Sequence, residues 1–299
     1  MNPEAPQWIL LGVLPPAIIL GIITLVLALL LGLATPKRAA AAQLIALTAA
    51  LLAGTLTILG LPEFPPRVEM DWLIIAIIPA AALIAVGVTL TPAKHAWWIA
   101  RIPLYAAIPL LVVWGSPYLD PEARTGWDTS QRLLYLGIPA ATLALLRFLT
   151  AFRRKRDKAW QRSLALGITA IAAAVTLLMF AAPGAGQTAM VLGGTLVATA
   201  VALFITPSHL MNPRVEDLAL PVIAALLLGG LHFADVSPRI ALTFAAALAA
   251  WSLLGLVPIL NAIPIVRSIV RWAALAALLG WPVAEAAIAF AQASETYDY

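Results

Sequence analysis

Ten apolar segments follow one another along the 299-residue chain, at roughly 8–34, 38–60, 72–90, 97–115, 132–151, 163–182, 188–206, 216–232, 239–260 and 266–291. Crossing lipid hydrocarbon as a helix takes ~20 apolar residues. These segments meet that length, and their charges are confined mostly to their ends. Backbone N–H and C=O groups in lipid must be satisfied within the segment, as they are in a helix. A barrel would show ~10-residue stretches of alternating polarity, and none occurs. The expected fold is all-α: a polytopic transmembrane helical bundle of about ten spans. It forms a single integral-membrane domain over residues 1–299, with short loops.

Composition agrees. The chain is 63% hydrophobic, against ~45–50% in an ordinary soluble domain, and one core could not hide that much apolar surface. With no cysteine, disulfides and thiolate metal sites are excluded. The start, MNPEAPQW, lacks a basic leader, and the apolar run behind it exceeds a signal peptide. It reads as a first span that stays.

Charge sorts the connections. Alternate loops place 14 basic and 3 acidic residues on one side, against 4 basic and 11 acidic on the other. Basic residues in short loops stay cytoplasmic. Ten spans with both termini outside satisfy that rule at every connection. The densest block is RRKRDKAWQR (153–162), with Arg153, Arg154, Lys155, Arg156, Lys158 and Arg162. It reads as the central cytoplasmic loop, fixing topology and resting on anionic headgroups at ~1 kcal/mol per basic residue. Ten residues do not supply a nucleic-acid reading element. Arg147, one turn inside the fifth segment, is expected to snorkel to that surface. The eighth segment is the weakest, being short and carrying Pro221 and His232.

Thr-Pro recurs at 35–36, 91–92 and 206–207, with a lone threonine at 150, at spacings of 56, 59 and 56 residues. The third and fifth segments begin alike, IIPAAALIAVGVTLT (77–91) against GIPAATLALLRFLT (137–150). This suggests a helical-hairpin repeat, set against the ordinary use of proline at span ends.

Candidates for chemistry are few. Proline inside a span removes a backbone hydrogen bond and bends the helix, and carriers use such breaks to bind substrate. Pro79 and Pro139 match each other and are the preferred pair, with Asn261, between Pro258 and Pro264, as a helix cap or break. Glu285 lies inside the last segment, where a charge is a functional suspect by default; it is the candidate coupling group. Glu69 and Asp71 form an outer acidic pair, weakly reminiscent of membrane glycosyltransferases that use lipid-linked sugars. His95 and His209 each follow a Thr-Pro, which is too little to indicate a haem or metal, so no cofactor is expected. His232 near Asp235 reads as a loop pair.

No nucleotide, metalloprotease or hydrolase motif occurs. The first functional expectation is a small permease or carrier for a small neutral or lipophilic solute. The second is a non-catalytic subunit or assembly partner of a larger membrane complex, and the third an enzyme acting on lipid-linked substrates. Ala-, Pro- and Arg-rich usage points to a prokaryotic cytoplasmic membrane.

Overall fold

A computed structural model describes residues 35–66, 68–91, 94–120, 122–153, 157–205, 214–257 and 263–296. Among them there is no strand. Their long helices are α1 (Pro36–Leu59), α2 (Glu69–Leu90), α3 (Lys94–Val112), α4 (Thr129–Phe152), α5 (Ala159–Met179), α6 (Pro183–Ile205), α7 (Val215–Phe233), α8 (Pro238–Leu254) and α9 (Pro264–Thr296). Each coincides with one expected apolar segment from the second to the tenth. The first, 8–34, lies outside the described residues. Seven of the helices are long and apolar enough to cross a membrane, by length and composition; Ile99–Val112 and Pro238–Leu254 are shorter.

The helix ends follow local chemistry. Thr35 is the N-cap of α1, its hydroxyl accepting from the Arg38 N–H at 3.4 Å, with Pro36 in the first turn. Proline suits that position because the first-turn N–H has no helical partner. The Thr-Pro at 35–36 therefore opens a helix. Ser237 and Pro238 open α8 in the same way.

Pro79 and Pro139 fall at matching places. In α2 a short α-helical turn, Glu69–Trp72, leads into a π-helical turn, Leu73–Ile77, and then the α-helix from Ile78. In α4 the turn Thr129–Arg132 leads into a π-helical turn, Leu133–Gly137, and then the α-helix from Ile138. Proline has no N–H to give the carbonyl four residues back, and its ring crowds that carbonyl. Widening the preceding turn accommodates both demands. The two helices thus share a physical device as well as a sequence pattern.

α5 and α6 form a tight antiparallel hairpin. Ala181 takes φ 56° in the connection, and Pro183 starts α6. The two helices cross at Gly167 and Gly193. A Cβ on Gly193 would stand 2.5 Å from Ile171 Cγ1 and 3.0 Å from the Ile171 nitrogen. Small residues at such a crossing let backbones approach, which is how helices pack where lipid removes the hydrophobic drive. The Ser163 hydroxyl adds a 2.7 Å bond to the Leu196 carbonyl.

α7 is the hub. It packs against α2, α3, α4, α5, α6 and α8, and its apolar window is the most buried of the candidate spans. Gly230 faces Leu177 of α5 so closely that a Cβ would meet Leu177 Cδ2 at 2.3 Å. The segment weakest by hydropathy is thus the most enclosed helix. A helix surrounded by protein needs less apolar length than one facing lipid, because its polar groups find partners in its neighbours.

Candidate functional site

Two adjoining features stand out, an ion cluster and an apolar crevice. The cluster lies at the N-terminal end of α7. α7 opens with Glu216 and Asp217, carboxylates that suit the positive end of a helix dipole. Asp217 receives a bidentate pair from Arg101 of α3, Nε to Oδ1 at 3.0 Å and Nη2 to Oδ2 at 2.9 Å. Arg147 of α4 donates to the same two oxygens. Arg101 and Arg147 are each 1% exposed. Glu216 pairs with Arg162 of α5 at 3.3 Å. Beside them, Arg271 of α9 makes a bidentate pair with Asp157 at 2.9 and 2.8 Å. Arg271 also donates to the Trp251 carbonyl at 2.9 Å and lies over the Trp251 ring at 3.9 Å. Bidentate pairing and stacking are what a planar guanidinium does and an ammonium does not. Tyr105, one turn from Arg101 on α3, is 4% exposed, and its hydroxyl has no partner among the described residues.

Two expectations change here. Arg147 does not snorkel; Asp217, three helices on in sequence, holds it inside. The basic block 153–162, expected as a loop resting on headgroups, is not loop throughout, since α5 begins at Ala159. Lys158 is exposed and precedes α5, while Arg162 and Asp157 fold inward as members of the cluster. The Arg153 side chain and residues Arg154, Lys155 and Arg156 lie outside the description.

The crevice runs between α4, α7 and α8, with a volume of about 210 Å³. Of its lining residues only Tyr135 and Thr142 carry a polar side-chain atom. Its mouth is exposed, with Leu134 at 51%, Ile138 at 49% and Leu242 at 56%. Its tip is closed by Leu146, Leu220 and Leu248, at 6%, 2% and 4%. Pro139 lines the wall just after the π-helical turn. Past the tip lies a second void of about 20 Å³, lined by Thr150, Asp157, Arg162, Glu216 and Ser252 among others, and Leu248 borders both spaces.

At the opposite end of the crevice, near Tyr135, aromatic rings pack together. Trp127 stacks on Tyr118 at 5.0 Å and on Tyr135 at 4.9 Å. His232 lies 5.2 Å from Trp127 and 5.9 Å from Tyr135, and its carbonyl accepts from the Tyr118 hydroxyl at 3.0 Å. His232 therefore faces rings, and no ion pair joins it to Asp235 among the described residues.

The remaining candidates are dispersed. Pro79 lies on α2 and does not line the crevice that Pro139 lines. Asp71 is 8% exposed, and its carboxylate accepts from the backbone amides of Glu63 and Val68 at 3.3 and 3.4 Å. It works as a helix cap. Glu69 is half-buried beside Gly229 of α7. Glu285 is half-buried on α9, away from the crevice lining. Asn261 and His209 fall outside the described residues, as does the side chain of His95. Among the described residues no group of three or more His, Asp or Glu side chains is placed to hold a metal ion.

Sequence reasoning passed over Asp217, Glu216, Asp157, Arg101 and Arg271 as site residues. One signal was present: Glu216 and Asp217 stand at the start of the eighth apolar segment, and carboxylates at that position call for basic partners. No family profile, curated protein or solved structure matches this chain.

Proposed function

We propose that this chain is a multi-pass membrane carrier that binds a neutral lipophilic solute in the crevice between α4, α7 and α8. The observation that carries the reading is the crevice itself: apolar, exposed at its mouth and closed at its tip. Ligand sites are concave, mostly apolar and supplied with few polar groups. A space between exposed helices of this hydropathy takes its occupant from the bilayer. Its poverty of polar lining favours a solute without strong charge. Asp71 is engaged by backbone amides, so the lipid-linked enzyme has less support than the carrier.

In this reading the ten segments all cross, the ion-cluster end faces the cytoplasm by its excess of basic residues, and the membrane is a prokaryotic cytoplasmic one. Pro139 and its π-helical turn shape the crevice wall.

The test is inter-leaflet transfer of a fluorescent single-chain lipid in liposomes, followed by quenching from outside. The protein is expected to accelerate transfer above protein-free liposomes. Ala224→Trp and Ala245→Trp, which fill the crevice from α7 and α8, are expected to return the rate to the protein-free value without shifting the unfolding midpoint. Equal rates with and without protein would overturn the reading.

A further inference from the structure

The crevice wall on α4 departs from its twin on α2 at one position. Residues 78–83 read IPAAAL and residues 138–143 read IPAATL, each stretch following a π-helical turn. The difference is Ala82 against Thr142. Ala82 packs against the apolar core, whereas Thr142 lines the crevice. Thr142 also differs in how its hydroxyl is used. Threonine inside a helix commonly turns its hydroxyl back to a carbonyl of the preceding turn. Thr89 does so to Ala85 at 2.7 Å, Thr150 to Arg147 at 3.0 Å and Thr243 to Arg239 at 2.8 Å. Among the described residues Thr142 makes no hydrogen bond of that kind, so its hydroxyl is left to the crevice. It stands seven residues beyond Tyr135 at the mouth and four short of Leu146 at the tip. At ~1.5 Å per residue, that is about 6 Å from the closed end. The crevice residues of α7 and α8 are all apolar.

We infer that the solute is an apolar molecule carrying one uncharged oxygen, a carbonyl or a hydroxyl, near the end that enters first, and that Thr142 selects it through a hydrogen bond. This rests on the carrier reading above and names its substrate class. A threonine hydroxyl both donates and accepts, so either kind of oxygen suits it. A pure hydrocarbon would cover that hydroxyl and give it no partner, which carries the cost of burying a polar group unpaired. A carboxylate or an ammonium would enter without a counter-charge, since no lining residue is ionisable except the Tyr135 phenol at the mouth. Burying an unpaired charge costs far more than burying a neutral group. The site thus favours a neutral oxygen over both no oxygen and an ion. The crevice from Leu134 to Leu146 is about 18 Å of helix at ~1.5 Å per residue, so chains of membrane length serve as probes.

The test is photo-crosslinking of the full chain in liposomes with a diazirine-bearing hexadecane. The competitors are unlabelled hexadecane, hexadecanol, the corresponding methyl ketone and hexadecanoate, at equal mole fractions in the bilayer. Crosslinks are expected on α4, α7 and α8. The alcohol and the ketone are expected to compete roughly fivefold better than hexadecane, the scale of one net hydrogen bond, and hexadecanoate no better than hexadecane. Whichever of the two neutral competitors is stronger identifies the oxygen of the natural solute. Thr142→Ala, which writes the α2 sequence into α4, is expected to abolish the preference and leave competition by hexadecane unchanged. Thr142→Ser keeps the hydroxyl and is expected to retain it, an outcome that a merely structural role would not produce. The wild-type ranking decides the matter even where a variant fails to fold. Equal competition by all four, best competition by hexadecanoate, or a preference that survives Thr142→Ala overturns the inference while leaving a lipophilic carrier standing. Absence of crevice labelling overturns it too, and removes the carrier as well only when inter-leaflet transfer is also unaccelerated.

Discussion

Replacing Asp217 by Asn is the sharpest probe of the ion cluster. The substitution keeps the shape and removes one negative charge that two guanidiniums share, each side chain being 2% exposed or less. Two effects compete in scale. Loss of a carboxylate from the first turn of α7 costs ~0.3–1 kcal/mol through the helix dipole. Leaving buried cations without their anion costs ~3–5 kcal/mol, because neither Arg101 nor Arg147 can reach water without leaving its helix interface. The second effect governs, so Asp217→Asn is expected to lower unfolding stability by about 3–5 kcal/mol. Equilibrium unfolding in mixed detergent micelles, followed by tryptophan fluorescence, measures it. A control separates charge burial from simple damage. The triple replacement Arg101→Met, Arg147→Met, Asp217→Leu removes the charges together, and is expected to recover most of the loss. A loss below ~1 kcal/mol for Asp217→Asn, the range of an exposed pair, would refute the claim that this triad is a buried clamp.

Other outcomes follow from the same structure. Gly193→Ala sets a methyl against the Ile171 backbone at the α5–α6 crossing and is expected to cost ~1–3 kcal/mol, read by the same unfolding assay. Arg271→Lys cannot reproduce the paired bonds to Asp157 or the stacking on Trp251; a blue or red shift of tryptophan emission with lowered stability is expected, and an unchanged spectrum and midpoint would refute it. Asp128 caps α4 outside the apolar span, and hydrogen bonds from the Ser130 hydroxyl and Gln131 amide hold its carboxyl below the usual aspartate range. A lowered pKa means the cap is complete above about pH 4, the unperturbed aspartate value, and is lost as pH falls through the folded value. Amide exchange at 130–132, corrected for its intrinsic pH dependence, is expected to show that loss of protection only at the acid end.

The helices were legible because each is written locally. Apolar runs such as LIIAIIPAAALIAVGVTL (73–90) declare their own length, and Thr35, Asp128 and Ser237 mark starts through side chains a few residues from the amides they cap. The ion cluster was not legible. Its pairs join residues 116, 70, 54 and 114 positions apart, and counting charges by loop sorted Arg147, Arg162 and Arg271 onto a surface they leave. The crevice was half legible. Pro139 was singled out for its likeness to Pro79, yet which of the two would border an open space depends on how α4, α7 and α8 diverge, and no local pattern encodes that.

The order in which the clamp's members leave the ribosome has a consequence. Arg101, Arg147 and Arg162 are all synthesised before residue 215, so three cations wait for two anions that arrive with a later helix. Until α7 docks, those side chains lack the carboxylates that hold them between the helices, and α3, α4 and α5 close on one another only at the cost of burying guanidiniums without Glu216 and Asp217. Completion of the cluster thereby waits for one late helix, and the centre of the bundle is filled only after its neighbours α2 to α6 have been made.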